Sequence, residues 1–267
     1  EREGALLDEI SITKDFFRLS GDYDYRNDVK SFDELRHFIN VTEIEDSAFE
    51  RCRNLNSVML PEGLESIGNN AFLQCTSLTG ITIPESVTRI DGTAFQYCSS
   101  LTEMILPEGI TEIAFGAFNN CSSLSEIVLP ESVTKLGLSS ISFCKSLKSI
   151  ILPENLTEIG DHAFKYCPKL TSINFPENLT TIGEGAFFDC RRLSGIRIPD
   201  SVTSIGPDAF MQCMSLRTIT IPEGVNEIAD RVFEGCTGLT SVTIPDGVTR
   251  IGDEAFYCCS SLADITI

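Results

Sequence analysis

A repeat of 23 residues dominates the chain. The segment LPEGLESIGNNAFLQCTSL at residues 60–78 returns as IPESVTRIDGTAFQYCSSL at residues 83–101, with Pro, Ala-Phe, Cys and Leu each shifted by 23 positions. The interval is kept without insertion by ten cysteines, Cys52, Cys75, Cys98, Cys121, Cys144, Cys167, Cys190, Cys213, Cys236 and Cys259. A period of this length predicts a stack of similar units, because one unit alone cannot bury its own apolar side chains.

Each unit begins with a short strand. Ile81 and Ile83 alternate with a small or polar residue, which predicts a strand with one face directed inward. Pro84 has no N–H group and ends the ladder. The following turn is expected to bury Val87 and Ile90.

A short helix is expected in the second half of the unit. Pro207 marks its start, since proline suits the first helical position. Ala209, Phe210 and Cys213 are spaced to share one helical face, which we expect to be directed into the core.

These units predict an α/β leucine-rich repeat solenoid. We expect a right-handed superhelix of ten 23-residue rungs, with a parallel β-sheet on the concave face and short helices on the convex face. Residues 1–40 are interpreted as an N-terminal cap and opening rung, and residues 41–267 as the solenoid. The solenoid has nine full repeats over 41–247 and a partial tenth over 248–267. Within the opening rung, Phe32 and Leu35 fall one period before Leu55 and Val58.

The repeated pattern L-x-x-I-x-I-P-x-x-V-x-x-I-x-x-x-A-F-x-x-C resembles the BspA-like leucine-rich repeats of bacterial surface and secreted proteins. The resemblance covers residues 31–267 and includes SFDELRHFINVTEI at 31–44, which looks like an opening rung of such proteins. It implies an adhesin or interaction module without catalysis, outside the cell or on its surface. No signal peptide is visible in the chain, whose first residues are the charged EREG.

Composition excludes several functional classes. The net charge of −19 argues against nonspecific binding to nucleic acid or anionic membranes. No run of 18 apolar residues is present, so membrane insertion is not expected. His37 and His162 lie in different repeats without a plausible nucleophile beside them, and no Gly-rich phosphate loop occurs. We therefore expect no enzyme activity, no cofactor and no metal.

The cysteine ladder has two interpretations. One is disulfide or metal chemistry, since neighbouring rungs bring Cα atoms within disulfide range. The other is small apolar filler, a role that free cysteine serves well. We favour reduced, buried thiols, because ten equivalent positions define no unique pairing. Cys258 is the exception and is expected to face outward.

A second ladder is acidic. It consists of Glu62, Glu85, Glu108, Glu131, Glu154, Glu177, Asp200, Glu223 and Asp246, each directly after the repeated proline. It either attracts divalent cations or a basic partner, or forms solvated turns whose carboxylates accept backbone N–H groups. We favour the solvated turns.

The outward centre of each strand is the candidate binding site. The residues Met59, Ile105, Val128 and Ile151 form what we call the apolar strip, and the same position continues with the polar Asn174 and Arg197. Contiguous exposed apolar surface often marks a binding site. The alternative is that β-branched residues simply suit strands.

Basic residues are concentrated in the middle repeats. They are Lys145, Lys148, Lys165, Lys169, Arg191, Arg192 and Arg197. These side chains either meet an acidic glycan or partner, or are solvated surface, which we favour. Tyr97, Phe143 and Tyr166 fall in one row nearby.

We interpret the protein as a non-catalytic extracellular module that binds a protein or glycoprotein, such as an adhesin would, through its concave face. The alternatives are a carbohydrate-binding module, weakened by the absence of Trp, and a structural stalk that displays another domain. The partial tenth rung lacks a cap, which predicts end-to-end self-association or a continuing chain.

Overall fold

The computed structural model describes residues 28–267, which form one stack of rungs. Each complete rung passes through a first strand position, a proline bend, a second strand position and a run of turns. The strands at the first position form four short hydrogen-bonded sheets along the stack, which we call together the first sheet. They are β1 Ser31–Phe32, β3 Ser57–Val58, β6 Glu103–Ile105, β8 Glu126–Val128, β10 Ser149–Ile151, β12 Ser172–Asn174, β15 Thr218–Thr220, β17 Ser241–Thr243 and β19 Asp264–Thr266. The strands at the second position form three hydrogen-bonded sheets, which we call together the second sheet. They are β2 Glu43–Ile44, β4 Ser66–Ile67, β5 Arg89–Ile90, β7 Glu112–Ile113, β9 Lys135–Leu136, β11 Glu158–Ile159, β13 Thr181–Ile182, β14 Ser204–Ile205, β16 Glu227–Ile228 and β18 Arg250–Ile251.

Strand pairing is parallel throughout, and nearly every pair has the 23-residue register of the sequence repeat. In the first sheet Ile105 pairs with Val128, and in the second Ile159 pairs with Ile182. The parallel solenoid of about ten turns is therefore confirmed. The second sheet was not expected, because its strands are only two residues long and were interpreted as part of a turn.

The predicted helices on the convex face are wrong. Within residues 28–267 the only helix is a 3₁₀ helix at Asp33–His37. The segment expected to be helical consists of turns instead. In the third rung, for example, Gln96 donates its N–H to the Thr93 carbonyl at an N–O distance of 3.0 Å, whereas Phe95 and Tyr97 donate to Ala117 and Asn119 of the next rung. Local and inter-rung hydrogen bonds thus alternate along the turns.

Two residues in each turn segment have left-handed backbone. In the third rung they are Thr93 and Tyr97, with φ of 58° and 61°. A continuous α-helix excludes such residues. The physical reason for the turns is space: an α-helix with its side chains is about 10 Å wide, whereas parallel rungs repeat at about 4.8 Å. Helices on successive rungs would collide, and turns that bond to the next rung do not.

The core is a set of ladders that run along the stack. Phe49, Phe72, Phe95 and Phe118 are fully or almost fully buried and stack nearly parallel, with ring centroids 5.0–5.6 Å apart. Ile141 takes the phenylalanine place in the fifth repeat and is also fully buried. The ladder resumes at Phe164. The rungs before the last therefore bury the same ladder positions against their neighbours, as the repeat predicts, whereas Phe256 of the last rung is only partly buried.

The opening rung departs from the 23-residue register. Phe32 pairs with Val58, 26 residues later, whereas the repeat places Leu35 opposite Val58. The 3₁₀ helix at Asp33–His37 follows β1 directly and buries Leu35. The predicted cap lies mostly in residues 1–27, outside the described part of the chain.

Candidate functional site

The apolar strip lies on the outer face of the first sheet. Ile105 and Ile151 are 66% and 83% exposed, although their neighbours Met104 and Ile150 are buried. Met59 and Val128 are exposed as well. Alternation along each strand produces this arrangement, because successive side chains point to opposite faces of a sheet. The two-residue alternation along each strand therefore places one set of side chains in the core and the other set on the exposed strip.

The polar continuation of the strip is also exposed. Asn174 pairs in register with Ile151 across β10 and β12. Arg197, one rung further, forms ion pairs with Glu177 and Asp200. The face therefore changes from apolar to polar and charged between the rungs of Ile151 and Asn174.

A shallow depression interrupts the strip between Met59 and Ile105. It has a volume of about 420 Å³ and is lined by both of these residues and by Gly80, among others. No strand forms at the first strand position around Gly80, and open space surrounds its Cα where a Cβ would stand. Glycine weakens a strand because it has no side chain to pack. The missing side chain also lowers the surface at this rung.

A second depression lies at the other end of the strip. It has a volume of about 460 Å³, and Val128 and Ile151 line it together with Glu126 and Lys148. The neighbouring strands β8 and β10 are not joined by a hydrogen-bonded ladder here. The apolar strip therefore offers two concave places in which side chains of a partner can be accommodated.

Carboxylates surround the first depression. Asp33, Glu85 and Glu103 all line it. Glu85 belongs to the acidic ladder, whose members are exposed along the edge of the first sheet. At one rung of this ladder, Glu131 accepts a hydrogen bond from the backbone N–H of Glu154 at 3.0 Å, which matches the solvated-turn interpretation. Residues 28–267 contain no group of three or more side chains arranged to hold a metal ion.

The eleven cysteines are free, and nine of them are buried. Cys258 is exposed, as expected, and Cys259 is intermediate. Burial raises the pKa of Cys121 and of Cys167 to about 12. These thiols are therefore protonated packing groups at neutral pH, far from the thiolate state that nucleophilic or metal-binding cysteines require.

The two histidines are not brought together. His37 is exposed and accepts a hydrogen bond from Arg36 at 3.3 Å. His162 is partly buried, and its Nε2 lies 3.9 Å from Glu184 Oε1. No nucleophilic side chain accompanies either ring among the hydrogen bonds of the described residues. A helix of sufficient length and apolar character to cross a membrane is not found in residues 28–267.

Comparison with known proteins agrees with this architecture. The sequence profile described as "BspA type Leucine rich repeat region (6 copies)" matches residues 21–148 and 135–263. The chain belongs to this family of leucine-rich repeat proteins. No curated protein sequence matches it.

Several solved structures are similar. A leucine-rich cell surface protein from Faecalibacterium prausnitzii is 30% identical over 88% of this chain and 82% of that chain, with a TM-score of 0.53. A leucine-rich repeat protein from Bacteroides ovatus is 28% identical over 85% of this chain and 70% of that chain, with a TM-score of 0.60. One from Eubacterium ventriosum, at 20% identity, a TM-score of 0.58 and coverage of 84% and 82%, shares the fold.

Proposed function

We propose that the protein is a non-catalytic interaction module on the outside of a bacterial cell, and that it binds a protein or glycoprotein through the apolar strip. The observation that carries the proposal is the exposure of Ile105 and Ile151 on strands whose preceding residues, Met104 and Ile150, are buried. Large apolar side chains at such positions are solvated at a cost unless a partner covers them. The similarity to a cell surface protein of Faecalibacterium prausnitzii supports the location.

The surroundings of the strip indicate the chemistry of its partner. Glu103 and Glu126 occupy the outward position two residues before Ile105 and Val128 on the same strands. Glu85 lies at the opposite edge and lines the first depression. A partner segment that places apolar side chains on the strip and basic side chains beside these carboxylates would match the surface in both shape and charge. Adhesion to host or matrix glycoproteins is the biological role we propose for such binding.

The test is binding of the purified protein to an array of host proteins, glycoproteins and glycans. The variant Ile105→Asp/Ile151→Asp places two charges in the strip. The matched control is Thr220→Asp/Thr266→Asp, which has the same spacing of two rungs and the same strand position in the polar half of the sheet. We expect a protein ligand that is lost with the first variant and kept with the second. Binding that both variants retain, or no binding at all, would contradict the proposal and favour a display stalk.

A further inference from the structure

A second surface, on the turns of the fifth to seventh repeats, is strongly basic. The segments 142–149, 165–172 and 188–195 are stacked on one another and contain six basic residues against one carboxylate. The equivalent segments of the flanking rungs, 119–126 and 211–218, contain one carboxylate between them, Glu126. We call this surface the basic edge, and its residues are Lys145, Lys148, Lys165, Lys169, Arg191 and Arg192. In a chain of net charge −19 such a zone is unusual. It meets the apolar strip at Lys148, which also lines the second depression.

The cations of the basic edge are largely unpaired. Within residues 28–267 no ion pair includes Lys145, Lys148, Lys169 or Arg192, and all four side chains are exposed. On the second sheet, by contrast, the basic residues do find carboxylates. Those pairs are Arg89 with Glu43 and Asp91, Lys135 with Glu158, and Arg250 with Glu227 and Asp230.

The one carboxylate of the basic edge is already engaged. Asp189 is buried and accepts a hydrogen bond from Arg191 Nε at 2.8 Å. This bond and the charge of Asp189 raise the pKa of Arg191, and the nearby Tyr166 adds to the effect. Asp189 therefore fixes the position of Arg191 and forms no ion pair with Lys145, Lys148, Lys169 or Arg192.

An aromatic row adjoins the cations. The rings of Phe143 and Tyr166 are 4.7 Å apart, and those of Tyr166 and Phe188 are 5.3 Å apart in an edge-to-face arrangement. All three are partly exposed. Lys165 Nζ lies 4.8 Å from the centre of the Phe188 ring, which links the row to the basic edge by a cation–π contact. The cations at 145, 169 and 192 lie two to four residues after these rings on the same turns.

We propose that the basic edge and its aromatic row form a binding site for an anionic polysaccharide that carries sulfate or carboxylate groups. Unpaired cations on successive rungs provide a line of positive charge for a linear polyanion. The partly exposed aromatic side chains provide apolar surface that the C–H groups of sugar rings can contact. A nucleic acid fits less well, because its dense phosphate charge would meet the strongly negative remainder of the protein. The site meets the apolar strip only at Lys148, and the proposal does not depend on the function proposed for that strip.

The test measures binding of the folded protein to dextran sulfate and to polygalacturonate at low salt, with unsubstituted dextran as the neutral control. The variant Lys145→Ala/Lys169→Ala/Arg192→Ala removes three unpaired cations. The matched variant Arg89→Ala/Lys135→Ala/Arg250→Ala removes the same charge from the second sheet. We expect the first variant to weaken binding of both anionic polymers by about tenfold or more, equivalent to about 1.4 kcal/mol, and to flatten the salt dependence. The second should change affinity by less than about twofold.

Two further probes decide the chemical class. Tyr166→Ser/Phe188→Ser should weaken binding of dextran sulfate, whereas Tyr97→Ser, at an exposed position of the same turn face, should not. Oligothymidylate and polyglutamate are compared with the polysaccharides at equal salt. Equal or tighter binding of either one would overturn the assignment to a polysaccharide. Equal losses in the two alanine variants, or no binding to any polyanion, would overturn the site itself.

Discussion

The thiol of Cys121 donates a hydrogen bond to the carbonyl oxygen of Phe95, one rung earlier, across 3.2 Å. Eight other cysteines make the same bond to the residue 26 positions before them, at 3.1–3.4 Å. The cysteine ladder therefore joins neighbouring turns through S–H donors. A disulfide between adjacent rungs would remove two of these donors.

The first prediction concerns thiol reactivity. In the native protein at pH 8, a thiol reagent such as Ellman's reagent should react rapidly with Cys258 alone, because the other cysteines are buried or half-buried. After unfolding in guanidinium chloride without reductant, all eleven should react. The absorbance of the released chromophore gives both numbers. Fewer than eleven in the unfolded protein would show disulfides and contradict the reduced ladder.

The second prediction is a loss of stability at alkaline pH. Burial raises the pKa of Cys121 to about 12 from its ordinary value of 9.0. Above pH 9 the unfolded chain therefore loses protons that the folded chain keeps, so the free energy of unfolding falls as pH rises from about 9 toward 12. Each buried thiol contributes a slope of up to about 1.4 kcal/mol per pH unit.

A triple variant isolates this contribution. Cys98→Ala/Cys121→Ala/Cys144→Ala removes three thiols but keeps every tyrosine and lysine that also titrates in this range. Its free energy of unfolding is measured by urea titration at several pH values. The decrease of this free energy with pH should be smaller in the variant than in the parent protein, by up to about 4 kcal/mol per pH unit. Equal slopes in the two proteins would show that the thiols do not dominate.

Much of the fold could be predicted from the sequence because the period fixes which positions face inward. Phe164 and Cys167 are fully buried and Ile151 is exposed, as their places in the repeat require. The pairing register of the opening rung could not be predicted. Phe32 pairs with Val58, 26 residues later, because the 3₁₀ helix at Asp33–His37 follows β1 where the repeat would continue.

Helices were wrongly predicted on the convex face because the spacing of apolar residues there is compatible with two structures. Ala209, Phe210 and Cys213 suit one helical face, but the alternating turns also direct all three inward. A better signal was present in the outward positions of the same segment, where Asp208 and Gln212 have left-handed backbone. Across the repeats seven of the twenty such positions hold Asn, Asp or Gly, which tolerate this backbone best, so the signal was only partial. The exposure of the apolar strip could be predicted, but its depressions could not, because they depend on strand pairing lost at particular rungs.

The third prediction compares two neighbouring aromatic ladders. Phe164 is fully buried and stacks on Phe187 at 5.3 Å, so Phe164→Ala should lower the free energy of unfolding by about 3–5 kcal/mol. Phe188 is only partly buried, and Phe188→Ala should cost about 1 kcal/mol. Urea unfolding followed by circular dichroism measures both. Similar losses would contradict the assignment of inward and outward positions.

The fourth prediction compares alanine substitutions at two glycines that have different surroundings. A Cβ on Gly160 would lie 2.5 Å from the Leu136 carbonyl oxygen and 3.0 Å from backbone of Gly137, both in the preceding rung. Backbone atoms cannot yield as a flexible side chain can, so Gly160→Ala should destabilise the protein by about 1–3 kcal/mol. Gly80 has open space around it, and Gly80→Ala should stabilise by about 0.4–1 kcal/mol because it restricts the unfolded chain.

The two substitutions are chemically identical, so each is the control for the other. Thermal unfolding of both variants beside the parent protein gives the order directly: Gly80→Ala should melt at or above the parent and Gly160→Ala below it. If Gly160→Ala melted with the parent, the close approach of the turn backbone between successive rungs would be wrong. That approach is what holds the rungs too close together for helices on this face, so the same result would reopen the choice between turns and helices.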